Sequence, residues 1–176
     1  VGSEMCIRDS SNRIEGSHLT EDQTRLIFET RTIGAGGADI PVDDIIETAN
    51  HFRAVDYMID NAEAQLTEPL IKELHRILKT GTQDVALPWF HVGNYKARAN
   101  TVGGMETVAP ERIADAVQGL LRKYGTAAHS LEDIVEFHYE FECIHPFQDG
   151  NGRVGRLIAF KECLKYLSLI HIDAAD

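Results

Sequence analysis

Cysteine is scarce in this chain. Cys6, Cys143 and Cys163 are the three present, and no two of them form a CxxC pair or a zinc-ligand spacing. That argues against a disulfide-stapled scaffold and a zinc module. It suits a reducing compartment, with Cys143 and Cys163 expected as buried thiols and the cytoplasm as the default location. No apolar run approaches the roughly 20 residues of a membrane span, and no signal-peptide pattern is read, so no membrane partner is expected. Positive charge is short as well: 17 Lys and Arg face 28 Asp and Glu, a formal net charge of -11. Nucleic-acid binders draw their affinity from neutralising phosphates, so no nucleic-acid partner is expected either. What is present is ordinary for a globular protein, with 43% hydrophobic and 26% charged residues. A chain of 176 residues is long enough for one domain with a real core.

Taken in order, Val1 to about Asp9 carries no pattern and resembles translated sequencing-adapter sequence, as does Ser168-Leu169-Ile170-His171-Ile172. The expected organisation is 1–9 non-native or disordered, 10–167 a single domain with a brief helix at about 10–16, and 168–176 a foreign tail on a domain truncated at its C-terminus. Ser11-Asn12-Arg13-Ile14-Glu15-Gly16 reads as that brief helix, stopped by its glycine. Thr20-Glu21-Asp22-Gln23 has capping-box form ahead of Leu26, Ile27 and Ile33. Pro41 opens a helix to about Asn61, with Ile45, Ile46, Ala49, Phe52, Val55 and Ile59 on one stripe. Thr67 to Lys79 is another, carrying Leu70, Leu74, Ile77 and Leu78 and stopped at Gly81. Between Val85 and Pro110 the helical period vanishes, and Trp89 to Gly104 suits a hairpin. Pro110 restarts a helix through Tyr124, Ser130-Leu131-Glu132-Asp133 caps the next, and Leu157 to Leu167 is helical again. The fold class is mainly α.

The densest chemistry lies in His145-Pro146-Phe147-Gln148-Asp149-Gly150-Asn151-Gly152-Arg153-Val154-Gly155-Arg156. Glycines let backbone N–H groups crowd an anion, and a helix beginning there adds its positive end, so the stretch suits a polyphosphate. Arg153 and Arg156, three apart, are expected on nearly one face as a charged clamp. Asp149 is a hard oxygen ligand for Mg²⁺ carried by phosphates, and a histidine such as His145, with an ordinary pKa of about 6.5, accepts a hydroxyl proton near neutrality.

The same glycines also spell G-x-G-x-x-G (Gly150, Gly152, Gly155). Val135, Phe137, Tyr139, Phe141 and Cys143 alternate as a strand would, and Asp173 lies near the ribose-binding distance of a dinucleotide fold. Against that reading, five residues separate the strand from its glycines, and Leu131, Ile134, Val135, His138 and Phe141 satisfy a helix instead. Phe137, Tyr139 and Phe141 are then core packing around the helix that carries His145. His51, His75, His91 and His138 share no ligand spacing and read as core or surface histidines rather than a metal cluster.

Every defined position of the twelve-residue stretch resembles the Fic-domain signature H-P-F-x-[D/E]-G-N-G-R-x-x-R, and the likeness runs from about Ser11 to Leu167. The resemblance implies a Fic fold, a helical bundle with a short β-hairpin flap, and an adenylyltransferase that moves AMP from ATP to a Tyr, Thr or Ser hydroxyl of a target protein. It implies His145 as the base, Phe147 as a buried anchor and Asp149 as the Mg²⁺ ligand. Gly150, Asn151 and Gly152 would grip the inner phosphates, and Arg153 and Arg156 the outer ones. Asp149 and Gly152 favour AMP transfer over the family's kinase-like branch. Gly93, Tyr95, Thr101, Val102 and Gly103 are similar to the flap, which would hold an extended target segment by strand addition.

Ser11 and Glu15 resemble the family's N-terminal inhibitory motif, in which Glu15 would pair with Arg156 and exclude the γ-phosphate. The same scaffold leaves open AMP removal, transfer of another nucleotide, or a non-enzymatic nucleotide-responsive module. A homodimer is a further implication of the resemblance, with no residue here marking its surface. Family members usually continue into helices that enclose the adenine, which this chain is too short to supply.

Overall fold

Helix starts legible in the sequence recur in space. The structure, a computed structural model, describes residues 18–30 and 40–167. Helix α1 (Glu21–Thr30) begins at a reciprocal cap: the Thr20 amide donates to Gln23 Oε1 at 2.9 Å, and the Gln23 amide to Thr20 Oγ1 at 3.2 Å. Pro41, whose ring fixes φ, precedes α2 (Val42–Asp60). Helix α3 (Glu68–Lys79) ends before Gly81, which takes the left-handed φ of +82° that lets the chain leave the helix. The two carbonyls left over at that end, of Leu78 and Thr80, accept from the buried Asn50 amide of α2 at 3.0 and 2.7 Å. After 3₁₀ turns at Gln83–Ala86 and Pro110–Arg112 come α4 (Ile113–Tyr124), α5 (Leu131–Ile144) and α6 (Asn151–Tyr166). Ser130 and Asp133 close the capping box of α5.

Helix α6 occupies the centre. It packs on α2, α3 and α5, and its buried residues, from Asn151 through Val154, Leu157 and Ile158 to Lys161 and Glu162, leave no wide solvent face. Lys161 and Glu162 are tolerated inside because they pair at 2.7 Å. Lys161 also donates to the Ala64 carbonyl, and Tyr124 donates to Glu162 at 2.9 Å. Around this helix lie Val55, Met58, Ile71, Leu74, Leu78, Val117, Phe137, Phe141 and Phe147. A smaller cluster of Leu19, Ile27 and Phe52 seats α1 on α2.

The alternating stretch before the glycines is a helix, so the dinucleotide-fold reading falls. The expected hairpin exists but is short, with β1 (Thr101–Val102) pairing antiparallel with β2 (Met105–Glu106). Gly103 and Gly104, at φ +56° and +83°, make the turn whose two positive φ values match the twist of paired strands. Gly93 and Tyr95, expected on the same flap, lie outside both strands. Among the described residues no helix is long and apolar enough to cross a membrane.

Two helices bury a different face from the one their apolar residues suggest. Helix α5 buries Ile134, Phe137, Phe141 and Ile144, while Leu131, Val135 and Tyr139 stand exposed on another side. Apolar residues occur on two stripes of this helix, and contact with α4 and α6 selects one of them. Cys143 is exposed for the same reason, and Cys163 only partly covered. In α2 the buried face runs through Thr48, His51, Phe52, Val55 and Met58, leaving Ile59 at the surface. His51 and His75 are both buried in the core.

Replacing Phe141 by Ala is expected to cost about 3–5 kcal/mol of unfolding free energy. Tyr139→Ala, two residues away, should stay within about 0.5 kcal/mol of wild type. Urea unfolding followed by circular dichroism checks both values. Equal losses would refute the assignment of the buried face.

Candidate active site

The chain reverses between α5 and α6 in six residues, 145–150, and the site forms on that reversal. His145 closes α5 from a left-handed conformation (φ 52°, ψ 62°), the one positive φ outside glycine among the described residues. Its amide still donates to the Phe141 carbonyl at 3.0 Å. Its side chain is largely covered, with Nδ1 4.0 Å from a carboxylate oxygen of Glu142 one turn earlier. Pro146 follows, lacks an N–H and prevents the helix from continuing.

Phe147 is fully buried, its ring stacked on His75 of α3 at 4.1 Å and 3°. Its backbone is clasped by one side chain. The Phe147 amide donates to Asn151 Oδ1 at 2.7 Å, and Asn151 Nδ2 donates back to the Phe147 carbonyl at 2.9 Å. Asn151 was expected at the phosphates; instead it is buried and both ends of its amide hold the loop. Asn100, at the hairpin base, donates to the same carbonyl at 3.3 Å, and the Lys96 amide donates to the Pro146 carbonyl at 2.9 Å. Lys96 Nζ donates to Asn100 and Thr107 at 2.7 and 2.6 Å; enclosed with neutral partners, it is pushed down to about 8 by burial. The hairpin is thereby tied to the loop, with Thr101, Val102 and Gly103 exposed.

Gly150 opens α6 at φ +79°, a left-handed position, and a Cβ there would sit 3.7 Å from His75 and 3.8 Å from Lys79. Among the described residues no side chain caps α6, which leaves its first amides, including that of Gly152, available to an anion. Gly155, a free position of the motif, marks the close approach of α5 and α6. A Cβ there would lie 2.6 Å from a Glu142 oxygen and 2.9 Å from the His138 ring.

The two arginines do not form the expected clamp. Arg153 is buried and turned inward, with Nη1 2.5 Å from Glu47 of α2 and Nη2 3.4 Å from Asp149. Arg156 is partly exposed and near enough to His138 to disfavour that ring's charge, after burial, which is the larger cause. Three residues turn a helix by 300°, and close packing separates the remaining 60° into different neighbours.

Beneath Asp149 lies a network that the sequence did not announce. Lys79, buried at the end of α3, reaches Glu47 at 2.5 Å, Asp84 at 2.6 Å and Asp149 at 2.7 Å. Burial works against its charge, but the three carboxylates hold its pKa well above the ordinary lysine value. Burial likewise pushes the Asp149 carboxyl up, yet Lys79 and then Arg153 keep it below the usual carboxylate range. Asp149 nonetheless keeps about half of its side chain exposed. The available signal for Lys79 was its register: one residue past Leu78, it continues the buried face of Ile71, Leu74 and His75. Glu47 and Asp84 carried none. Gly93 and Tyr95 support this floor from the other side. The Gly93 amide donates to His75 Nδ1 at 2.9 Å, and Tyr95 leans on Phe147 at 6.0 Å. Ser11 and Glu15 lie outside the described residues.

Residues 65–162 match the model of the Fic/DOC family. The chain is 28% identical over 152 residues to a protein adenylyltransferase Fic of Nematostella vectensis, covering 84% of this chain and 34% of that protein. It is 30% identical over 155 residues to a protein adenylyltransferase Fic of Drosophila willistoni, covering 82% of this chain and 29% of that one. A solved Fic family protein from Desulfovibrio desulfuricans shares the fold at a TM-score of 0.76 and 28% identity, over 96% of this chain and 50% of its own. The chain spans about a third of the length of the curated relatives it matches.

His75 generates a pH dependence. Burial, and secondarily Lys79, push its pKa down to about 3, and its Nδ1 accepts from Gly93, leaving the proton on Nε2. Between pH of about 6.5 and about 3 the unfolded chain binds a proton that the native state refuses, so stability falls by about 1.4 kcal/mol per unit of acidification. Asp149 adds a further loss only below its unfolded value of about 3.8. Urea unfolding at pH 7 and pH 5 should show a gap about 2 kcal/mol smaller in His75→Gln than in wild type. Equal gaps would show that His75 is protonated in the native state.

Proposed function

The chain belongs to the Fic/DOC family, and we propose that it is a Mg²⁺-dependent protein adenylyltransferase. It would move AMP from ATP to a Tyr, Thr or Ser hydroxyl of a target protein and release pyrophosphate. The observation that carries this reading is the juxtaposition across one short loop of a base at the end of α5 and open amides at the start of α6, with Asp149 between them. The names of the related adenylyltransferases support it.

His145 takes the hydroxyl proton as the oxygen bonds to the α-phosphorus, while the bond from that phosphorus to the bridging oxygen of the β-phosphate breaks. Amides at Gly150 and Gly152 receive the phosphate oxygens, with the α6 dipole behind them. Arg156, partly exposed, contacts the outer phosphates, whereas Arg153 contributes charge from beneath the loop, held by Glu47. Phe147 and Asn151 keep the loop in one shape, so its amides stay aimed without reorganisation. Asp149 suits Mg²⁺, being a hard oxygen donor, half exposed and kept anionic. The ion supplies neutralisation of the phosphate charge. The exposed hairpin residues Thr101 and Val102 offer backbone for strand addition by an extended target segment, at the loop's edge.

Glu15, with Ser11 beside it, acts on this reading as an inhibitor that pairs with Arg156 and excludes the γ-phosphate. Labelling with α-³²P ATP and Mg²⁺ tests the whole. Glu15→Gly is expected to label itself or a target well above wild type. Adding His145→Ala should remove about 10²–10⁴-fold of that rate while nucleotide binding persists. Transfer that survives His145→Ala would reject His145 as the base. Folded Glu15→Gly that binds ATP and labels nothing would favour a different donor nucleotide or a non-enzymatic module.

A further inference from the structure

Glu47, Asp84 and Asp149 each aim an oxygen into a common space, all within 4.8 Å of one another. Three carboxylates that close ordinarily attract a divalent cation. Here the space holds Lys79 Nζ, 2.5–2.7 Å from one oxygen of each, on a side chain only 2% exposed. The carboxylates come from three separate elements, α2, the 3₁₀ turn at Gln83–Ala86 and the motif loop, and Lys79 from a fourth. With Arg153 included, two cations face three anions, and Asp149 is the most exposed of the three carboxylates.

We propose that Lys79 is a positioning residue that occupies this cage in place of a metal ion, reserving Asp149 for Mg²⁺ that arrives with the nucleotide. The inference rests on the adenylyltransferase reading for its purpose, but not for its test. A divalent ion held by all three carboxylates would sit beneath the loop, drawn away from any phosphate at the α6 amides. An ammonium donates three hydrogen bonds, one to each carboxylate, and neutralises a single charge, so Asp149 stays anionic while half of its side chain remains exposed. Arg153 is held through the same Glu47, so Lys79 also sets the second cation of the floor. Lysine is suited to the task because its charge is a compact point that fits where an ion would.

The test needs no nucleotide and reads no transfer, so it stands whatever the activity assay returns. Mn²⁺ is titrated into nucleotide-free protein and followed by calorimetry and by Tm. Wild type is expected to take up no Mn²⁺ at the cage and to keep its Tm. Lys79→Met should bind one Mn²⁺ at least about tenfold more tightly than wild type, with a Tm that rises as metal is added. Lys79→Arg, which keeps the charge, should behave as wild type. If Lys79→Met folds only when Mn²⁺ is present, that metal-dependent folding supports the proposal as directly. Should it not fold at all, the pair Lys79→Met and Asp84→Asn, with one fewer negative charge, carries the same comparison. Uptake by wild type at the variant's affinity, or by Lys79→Arg as readily as by Lys79→Met, would overturn the inference.

Discussion

A buried phenyl ring and one amide side chain hold the turn on which the site is built. Phe147 lies in the core against His75, and Asn151 closes both hydrogen bonds of its backbone. A loop of this kind has no ladder of its own, so its polar groups need partners from elsewhere. The partners here include Asn151 of α6 and Phe141 of α5, which gives the amides at the start of α6 a rigid mount. The hairpin inherits that rigidity through Asn100 and Lys96. Loss of the ring's seat would therefore loosen His145, the α6 amides and the hairpin together.

Charge is handled in two layers. On the proposed reading the upper layer, the α6 amides and the partly exposed Arg156, faces the nucleotide. The lower layer, Lys79 and Arg153, is buried and already satisfied by Glu47, Asp84 and Asp149. Buried ion pairs bring little net stability, because desolvation offsets their attraction, but they fix geometry. In an acidic protein, this arrangement gives the two buried cations fixed anionic partners beneath one loop.

Local rules were legible where a single residue type satisfies a single backbone need. Thr20 and Ser130 announced helix starts and Gly81 a helix end, whereas the hairpin turn fell at Gly103-Gly104, the end of the stretch expected to hold the whole hairpin. Faces were less legible. Leu131, Val135 and Tyr139 are as apolar as Ile134, Phe137 and Phe141, and nothing within α5 says which stripe meets α6. Asn151 was ambiguous for a related reason: an amide beside glycines suits a phosphate or a backbone equally well, and only the fold brings it to the Phe147 backbone.

The sequence by itself determined the helical class, the punctuation of each helix and the identity of the chemical loop, because capping, glycine conformation and a twelve-residue signature act over short distances. Tertiary structure alone decided the floor beneath that loop. Glu47, Lys79, Asp84 and Asp149 are spread over 103 positions of the chain (47 to 149, inclusive), and their meeting depends on how α2, α3 and α6 cross. It likewise turned Arg153 inward and left Arg156 toward solvent, since one helix can serve two neighbours only by dividing its side chains between them.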